Sequence, residues 1–189
     1  MPTTFTNQAT LSYNNQSIPS NVVTGVLTEV LSVSKTAIPA AYQNGDTITY
    51  AVQLVNSGTA ALTGLTLTDN LGAYTPAAGT AAVVPMTYQS DTLRYYRNGI
   101  LQATPTIAAT SPLTVTGLSI PAGGNTTLMY AVKTNQFTPY GAEESVTNTA
   151  TVTGGGLAAP LTAEATVNAD PAPDLSVIKS MCPTTVTEA

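Results

Sequence analysis

Histidine and tryptophan are missing from this 189-residue chain altogether, and cysteine occurs once. Without histidine the chain lacks the commonest metal ligand and the commonest general base at neutral pH, so neither turnover catalysis nor a resident metal or cofactor is expected. The lone Cys182 allows one disulfide per chain, which can join two molecules but cannot by itself link a polymer. Charge is scarce as well: charged residues make up 8% of the chain, 5 basic against 10 acidic, with a pI near 4.3. No basic field gathers phosphates, so nucleic acid is not an expected partner. Long apolar runs are absent, and so no membrane span is expected. Met1 to Phe5 show neither a basic start nor an apolar stretch, so no signal peptide is visible and the route of export stays open.

What the chain does have is Thr, Val and Ala in alternation, with 14 Gly and 13 Pro punctuating the runs, and 43% hydrophobic residues. That length and pattern accommodate one antiparallel β-sandwich with appendages. Strands are expected near residues 5–13, 21–27, 30–37, 47–55, 62–69, 81–88, 93–97, 113–118, 126–133, 146–153, 161–167 and 175–180. Asn98-Gly99 is a two-residue hairpin signal, because both positions tolerate positive φ. Asn14-Asn15 and Gly154-Gly155-Gly156 mark two further turns. Pro171-Ala172-Pro173 reads as a stiff spacer before the last strand.

The chain also repeats itself. Thr6-Asn7-Gln8-Ala9-Thr10-Leu11 returns as Thr147-Asn148-Thr149-Ala150-Thr151-Val152, and Leu31-Ser32-Val33-Ser34-Lys35 returns as Leu175-Ser176-Val177-Ile178-Lys179. In both copies the Asn element comes first. The expected organisation is an N-terminal β-hairpin in residues 1–29 that is the tail of one repeat, a complete sandwich in 30–170, and a spacer with a donor-type strand in 171–189 that is the head of another. A repeat buries its apolar face against its own unit or a neighbour. Copies of the same chain are therefore the expected partner, with Phe5, Asn7, Leu11, Leu175, Val177, Lys179 and Cys182 as candidate intersubunit residues.

Strand parity singles out three polar residues. Side chains alternate faces along a strand, so Lys35 shares a face with Leu31 and Val33, Asp69 with Leu65 and Leu67, and Asn148 with Val146, Ala150 and Val152. Buried unpaired charges are strongly disfavoured, so these groups either hydrogen-bond together or react. Burial favours the neutral forms of amines and carboxylic acids. A neutral Lys35 attacking the Asn148 amide, with Asp69 relaying protons and ammonia leaving, is an isopeptide-forming reaction. The bland alternatives are a Lys35 that reaches solvent along its stem, an Asp69-Asn70 pair that begins a turn, and an Asn148 that bonds to backbone. Asn7 and Lys179 occupy the same motif positions, without a counterpart of Asp69.

Taken together, Ser34-Lys35-Thr36-Ala37, Asn44-Gly45-Asp46-Thr47-Ile48-Thr49-Tyr50, Val55-Asn56-Ser57-Gly58-Thr59, Leu65-Thr66-Leu67-Thr68-Asp69-Asn70-Leu71 and Val146-Thr147-Asn148-Thr149-Ala150-Thr151-Val152 resemble the conserved repeat domains of bacterial surface and fimbrial proteins, including those that form internal Lys-Asn isopeptide bonds. The resemblance covers most of residues 30–168 and implies an immunoglobulin-like sandwich, extracellular display and a structural or adhesive role. The chain departs from that family's usual setting in showing no sorting motif and no string of full repeats.

The favoured function is a structural subunit that assembles head to tail into an extracellular filament, on a cell or spore surface, by strand complementation between copies. The alternative is a monomeric binding module or adhesin fragment that uses the loop from Tyr88 to Asn98, with Tyr95 and Tyr96 beside its hairpin. An enzyme built on Asp91, Glu143 and Glu144 lacks a nucleophile or base, and neighbouring acids on a strand point to opposite faces. Asp46, Asp69 and Asp91 do not form the dense oxygen loop that calcium requires.

Overall fold

The structure is a computed structural model that describes residues 3–27, 29–141, 144–170 and 178–179. Among these the regular structure is all strand. The first four strands, β1 (Thr3–Asn7), β2 (Thr10–Tyr13), β3 (Gln16–Pro19) and β4 (Val23–Leu27), form a ribbon in which β1 pairs with β4 and β2 with β3. Two long strands were expected here. The ladder breaks because the register changes between Asn7 opposite Val23 and Thr10 opposite Pro19. Side chains fill the gap: Gln8 Nε2 donates to the Ser20 carbonyl at 2.8 Å, and Ser20 Oγ accepts from the Ala9 amide at 3.0 Å. Asn14 and Asn15 turn the ribbon at φ 49° and 62°, as a type I′ hairpin requires.

The remaining strands make two facing sheets. One runs in the order β11 (Ile100–Leu101), β10 (Arg94–Arg97), β14 (Asn125–Thr134), β7 (Thr47–Asn56), β5 (Leu31–Ile38), with β9 (Met86–Tyr88) also paired to β14. The other runs β12 (Thr106–Thr110), β13 (Leu113–Ile120), β8 (Leu62–Asp69), β15 (Ser145–Gly154), β16 (Leu161–Ala169), β6 (Ala41–Tyr42). All pairings are antiparallel except the short contact of β6 with β16. The inner faces alternate as the pleat dictates: Ile48, Tyr50, Val52 and Leu54 from β7 meet Leu65 and Leu67 from β8, and all are fully or almost fully buried. Each such side chain contributes about 1.5 to 3 kcal/mol by leaving water.

Three local departures from the expected strands have physical causes. Residues 81–85 are not a strand: Pro85 cannot donate to a ladder, and only an isolated bridge joins Val83 to Tyr74. β12 was not expected, and its register shifts between Ile107 and Ala109, which blurs its alternation. The expected strand at 175–180 lies almost wholly outside the described residues; Ile178 and Lys179 are exposed and not in a strand.

Candidate functional site

Between the two sheets lies a polar cluster in an otherwise apolar core. Lys35 is 7% exposed, and Asp69 and Asn148 are fully buried. β5 brings Lys35 from one sheet, while β8 and β15 bring Asp69 and Asn148 from the other. β8 and β15 are adjacent, with Asp69 opposite Ala150, two residues along the same face from Asn148. Parity therefore placed all three side chains correctly. The solvent-reaching alternative for Lys35 is overturned, because its stem would need an exit that the packed sheets do not leave. The other two alternatives describe part of the geometry, as the hydrogen bonds below show.

Lys35 Nζ forms an ion pair with Asp69 Oδ2, and the Tyr130 hydroxyl donates to the same oxygen. Asp69 Oδ1 accepts from the Leu71 amide at 2.9 Å. Lys35 Nζ also sits 4.5 Å from the centre of the Tyr50 ring, a cation–π contact. Burial pulls the Lys35 amine down from the usual lysine value to about 8, against the upward pull of Asp69 and, more weakly, Glu164. Burial likewise pushes the Tyr50 and Tyr130 phenols upward, and the Asp69 charge adds to both rises. The two tyrosines thus stay neutral and wall the site.

Asn148 is held on one side only. Its Oδ1 accepts from the Gly72 amide at 3.2 Å, and its Nδ2 makes no hydrogen bond. The Asn148 side chain nonetheless acts on Tyr50: after burial it is the strongest influence on that phenol, and it opposes the rise. A second buried asparagine provides the contrast. Asn56 Nδ2 donates to the Ala60 and Pro121 carbonyls at 2.8 and 3.0 Å, and its Oδ1 accepts from the Gly58 amide at 2.9 Å. Asn56 is a satisfied structural residue, whereas an orphaned buried amide NH₂ costs about 1 to 3 kcal/mol.

The sequence reading missed the turn that completes the site. After Asp69 the chain reverses through Leu71 and Gly72 at φ 54° and 72°, which aims the Gly72 N–H at Asn148. Asn70 fastens this turn to β15: its Oδ1 accepts from the Gly72 and Thr149 amides, both at 2.9 Å. Glycine is required at 72 by that φ and by crowding, since a Cβ there would run into the Val146 side chain and reach Pro85 Cγ at 3.2 Å. The positive-φ glycine three residues after Asp69 was the one available signal. Tyr50 and Tyr130 read as ordinary strand aromatics.

The other expected residues are scattered. Phe5, Asn7 and Leu11 are exposed on the ribbon, Phe5 by 59% and Leu11 by 70%. Lys179 is exposed, and Leu175, Val177 and Cys182 lie outside the described residues. Tyr95 is not a ligand-facing loop residue: it is buried, and its hydroxyl donates to the Ser119 carbonyl at 2.9 Å. Asp91 and Glu144 are exposed, Glu143 lies outside the described residues, and Asp46 Oδ2 accepts from the Gln43 amide at 2.8 Å in a turn. Among the described residues no group of three or more His, Cys, Asp or Glu side chains could hold a metal, and no helix is long and apolar enough to cross a membrane.

No family model and no curated protein matches the sequence. Solved structures do match the fold. The chain is similar to the pilus backbone RrgB of Streptococcus pneumoniae, with TM-score 0.51 and 11% identity over 65% of this chain and 31% of that one. It is similar to a variant of the major pilin subunit BcpA of Bacillus cereus, with TM-score 0.51 and 12% identity over 88% of this chain and 48% of that one. It is also similar to the full-length major pilin SpaD of Corynebacterium diphtheriae, with TM-score 0.50 and 16% identity over 71% of this chain and 33% of that one. The chain thus spans less than half of the length of each. At such identities the likeness is one of fold, and the fold is the immunoglobulin-like all-β sandwich of pilin domains.

Proposed function

We propose that this chain is a structural subunit of an extracellular or surface appendage, locked internally by an amide bond between Lys35 and Asn148 and assembling head to tail with copies of itself. The observation that carries the reading is the buried Lys35–Asp69 pair beside an asparagine whose amide nitrogen has no partner. A satisfied core asparagine binds through all its polar atoms, as Asn56 does; Asn148 instead leaves free the nitrogen that the reaction expels.

The chemistry follows from the positions. Transfer of the shared proton from Lys35 to Asp69 Oδ2 yields a neutral amine and a neutral acid, the combination that a low-dielectric site favours over separated charges. The Nζ lone pair then attacks Asn148 Cγ. Charge develops on Oδ1, where the Gly72 N–H already points and costs no reorganisation. Asp69 delivers its proton to Nδ2, and the carboxylate that results takes one from the new ammonium. The Cγ–Nδ2 bond breaks and ammonia leaves, so one primary amine and one primary amide become one secondary amide and ammonia. Tyr130, donating to Oδ2, orients the carboxyl for that relay.

The mechanical consequence suits a fibre. β5 and β15 belong to different sheets, and a bond between them ties the first strand of the sandwich to the hairpin that ends it. Load entering at β5 and leaving through β16 then passes along covalent bonds instead of shearing the sheets apart. In this reading residues 30–170 are the complete unit, and 1–29 and 171–189 are its assembly elements. The pilin likeness supports a role of this kind, and the exposed apolar residues of the ribbon, Phe5, Leu11, Ile18 and Val26, support burial against a partner.

Two measurements on the purified full chain test the reading. Intact mass should fall short of the sequence mass by one ammonia, and electron microscopy should show filaments. Deleting 174–189 should leave a folded, cross-linked monomer that forms none. A folded wild type at full sequence mass would remove the internal bond. Discrete wild-type monomers at high concentration would remove the assembly reading in favour of a monomeric binding module.

A further inference from the structure

The β1–β4 part of the ribbon copies the pairing of the β15–β16 hairpin. Thr6 pairs with Thr24 where Thr147 pairs with Thr166, Asn7 with Val23 where Asn148 pairs with Ala165, and Phe5 with Gly25 where Val146 pairs with Val167. The register is therefore the same through β1 and β4, and the sequence repeat is a repeat of pairing as well as of residues. Volume is conserved across one rung, since the Phe5 ring lies over the bare Gly25 where two valines stand in the sandwich.

The surroundings differ. In the sandwich the face carrying Val146, Asn148 and Val167 is buried, and β5 packs against β16 there and supplies Lys35. In the ribbon the corresponding face is open: Phe5 and Val23 are 59% and 55% exposed, and Asn7 is exposed. Part of what covers that face in the sandwich, against β16, is the segment Leu31-Ser32-Val33-Ser34-Lys35, and the chain contains this segment a second time as Leu175-Ser176-Val177-Ile178-Lys179. Lys179 does not pair with its own ribbon, being exposed beside an Ile178 that is 91% exposed.

From this register we infer that the Phe5–Asn7–Val23 face of one copy is the docking surface for the Leu175–Lys179 segment of a second copy, with Leu175 and Val177 on the apolar rungs and Lys179 brought to Asn7. The inference rests on the assembly reading above and specifies its contact. Repetition of one directional contact between different ends gives a filament rather than a closed dimer. The ribbon carries no acid at the place that Asp69 holds in the sandwich, so the Lys179–Asn7 contact starts as a hydrogen bond from ammonium to amide oxygen.

Complementary capped variants test it. Phe5→Asp disables the face and leaves the tail segment, whereas Val177→Asp disables the segment and leaves the face. Each alone should stay monomeric by light scattering while melting as a folded sandwich, and an equimolar mixture should form a dimer that grows no further. Register is read separately in a Cys182→Ser background. Asn7→Cys with Lys179→Cys should give an oxidised ladder of oligomers on a non-reducing gel, whereas Thr6→Cys with Lys179→Cys, on the opposite face, should give at least tenfold less. Filaments from Phe5→Asp alone, no heterodimer on mixing, or disulfide closure within monomers would overturn the inference. In the first case assembly survives through another contact, so the broader reading stands. A wild type that never oligomerises overturns both.

Discussion

Replacing Asn148 by Ala removes the proposed cross-link while keeping the groups around it. The Lys35–Asp69 pair stays, Tyr130 still donates to Asp69, and the Gly72 N–H keeps its bond to Asn70 Oδ1 at 2.9 Å. The side chain itself therefore accounts for little, about 1 kcal/mol for the lost bond from Gly72. The covalent bond accounts for far more. It closes a loop of about 110 residues, and the entropy that this removes from the unfolded chain is worth about 5 kcal/mol. For a domain of this size each kcal/mol moves the melting temperature by about 2 to 4 °C, so Asn148→Ala should melt about 10 to 20 °C below wild type. Scanning calorimetry reads the shift, and intact mass of the same samples reports the bond: one ammonia short in wild type, full mass for the variant. A wild type that has lost ammonia while the variant melts within about 3 °C of it would refute the loop-entropy argument.

Three further outcomes follow from the same geometry. Asp69→Ala should give folded protein at its full sequence mass, because the amine and amide remain but no group carries protons between them; loss of ammonia at the wild-type rate would show that Asp69 is dispensable. In Asn148→Ala, Lys35 stays unreacted with its amine near 8 against 10.5 when exposed, so the unfolded chain binds more protons between those values. Stability of that variant to urea should rise from pH 8 to about pH 9.5, by about 1.5 kcal/mol, before the buried tyrosines, with raised folded values, begin to act the other way, and a falling profile in that window would contradict the burial of the amine. Gly72→Ala should destabilise by about 2 to 4 kcal/mol and slow ammonia loss, because the side chain strains a positive φ and moves the N–H that faces Asn148; unchanged melting and an unchanged mass time course would remove the role given to the turn.

How much could be read beforehand depended on how local the determining interaction is. Alternation along a strand is set by the pleat, so Leu31 with Lys35, Leu67 with Asp69 and Ala150 with Asn148 were assignable to the core from sequence alone. The turns at Asn14-Asn15 and Asn98-Gly99 were legible for a related reason, since positive φ is a property of single residues. The internal repeat is legible as well, because its two Asn and two Lys elements align position for position in the chain itself. Which sheet each strand joins is not local. Only the folded chain sets β5 across from β8 and β15, so only there do Lys35 and Asp69 meet and Asn148 lose a partner for its nitrogen. Tyr130 and Gly72 acquire their roles from partners far away in sequence, Tyr130 from Asp69 at a separation of 61 and Gly72 from Asn148 at a separation of 76, and Tyr50 stands beside them through its pairing with Tyr130. The same holds for the breaks at Gln8-Ala9 and Pro85, where competing bonds to Ser20 and to Asn135 and Thr138 displaced the ladder. Sequence settled which residues face inward, because parity is a one-strand property; tertiary structure decided which of them touch, because contact depends on how separate strands are ordered in the sheets.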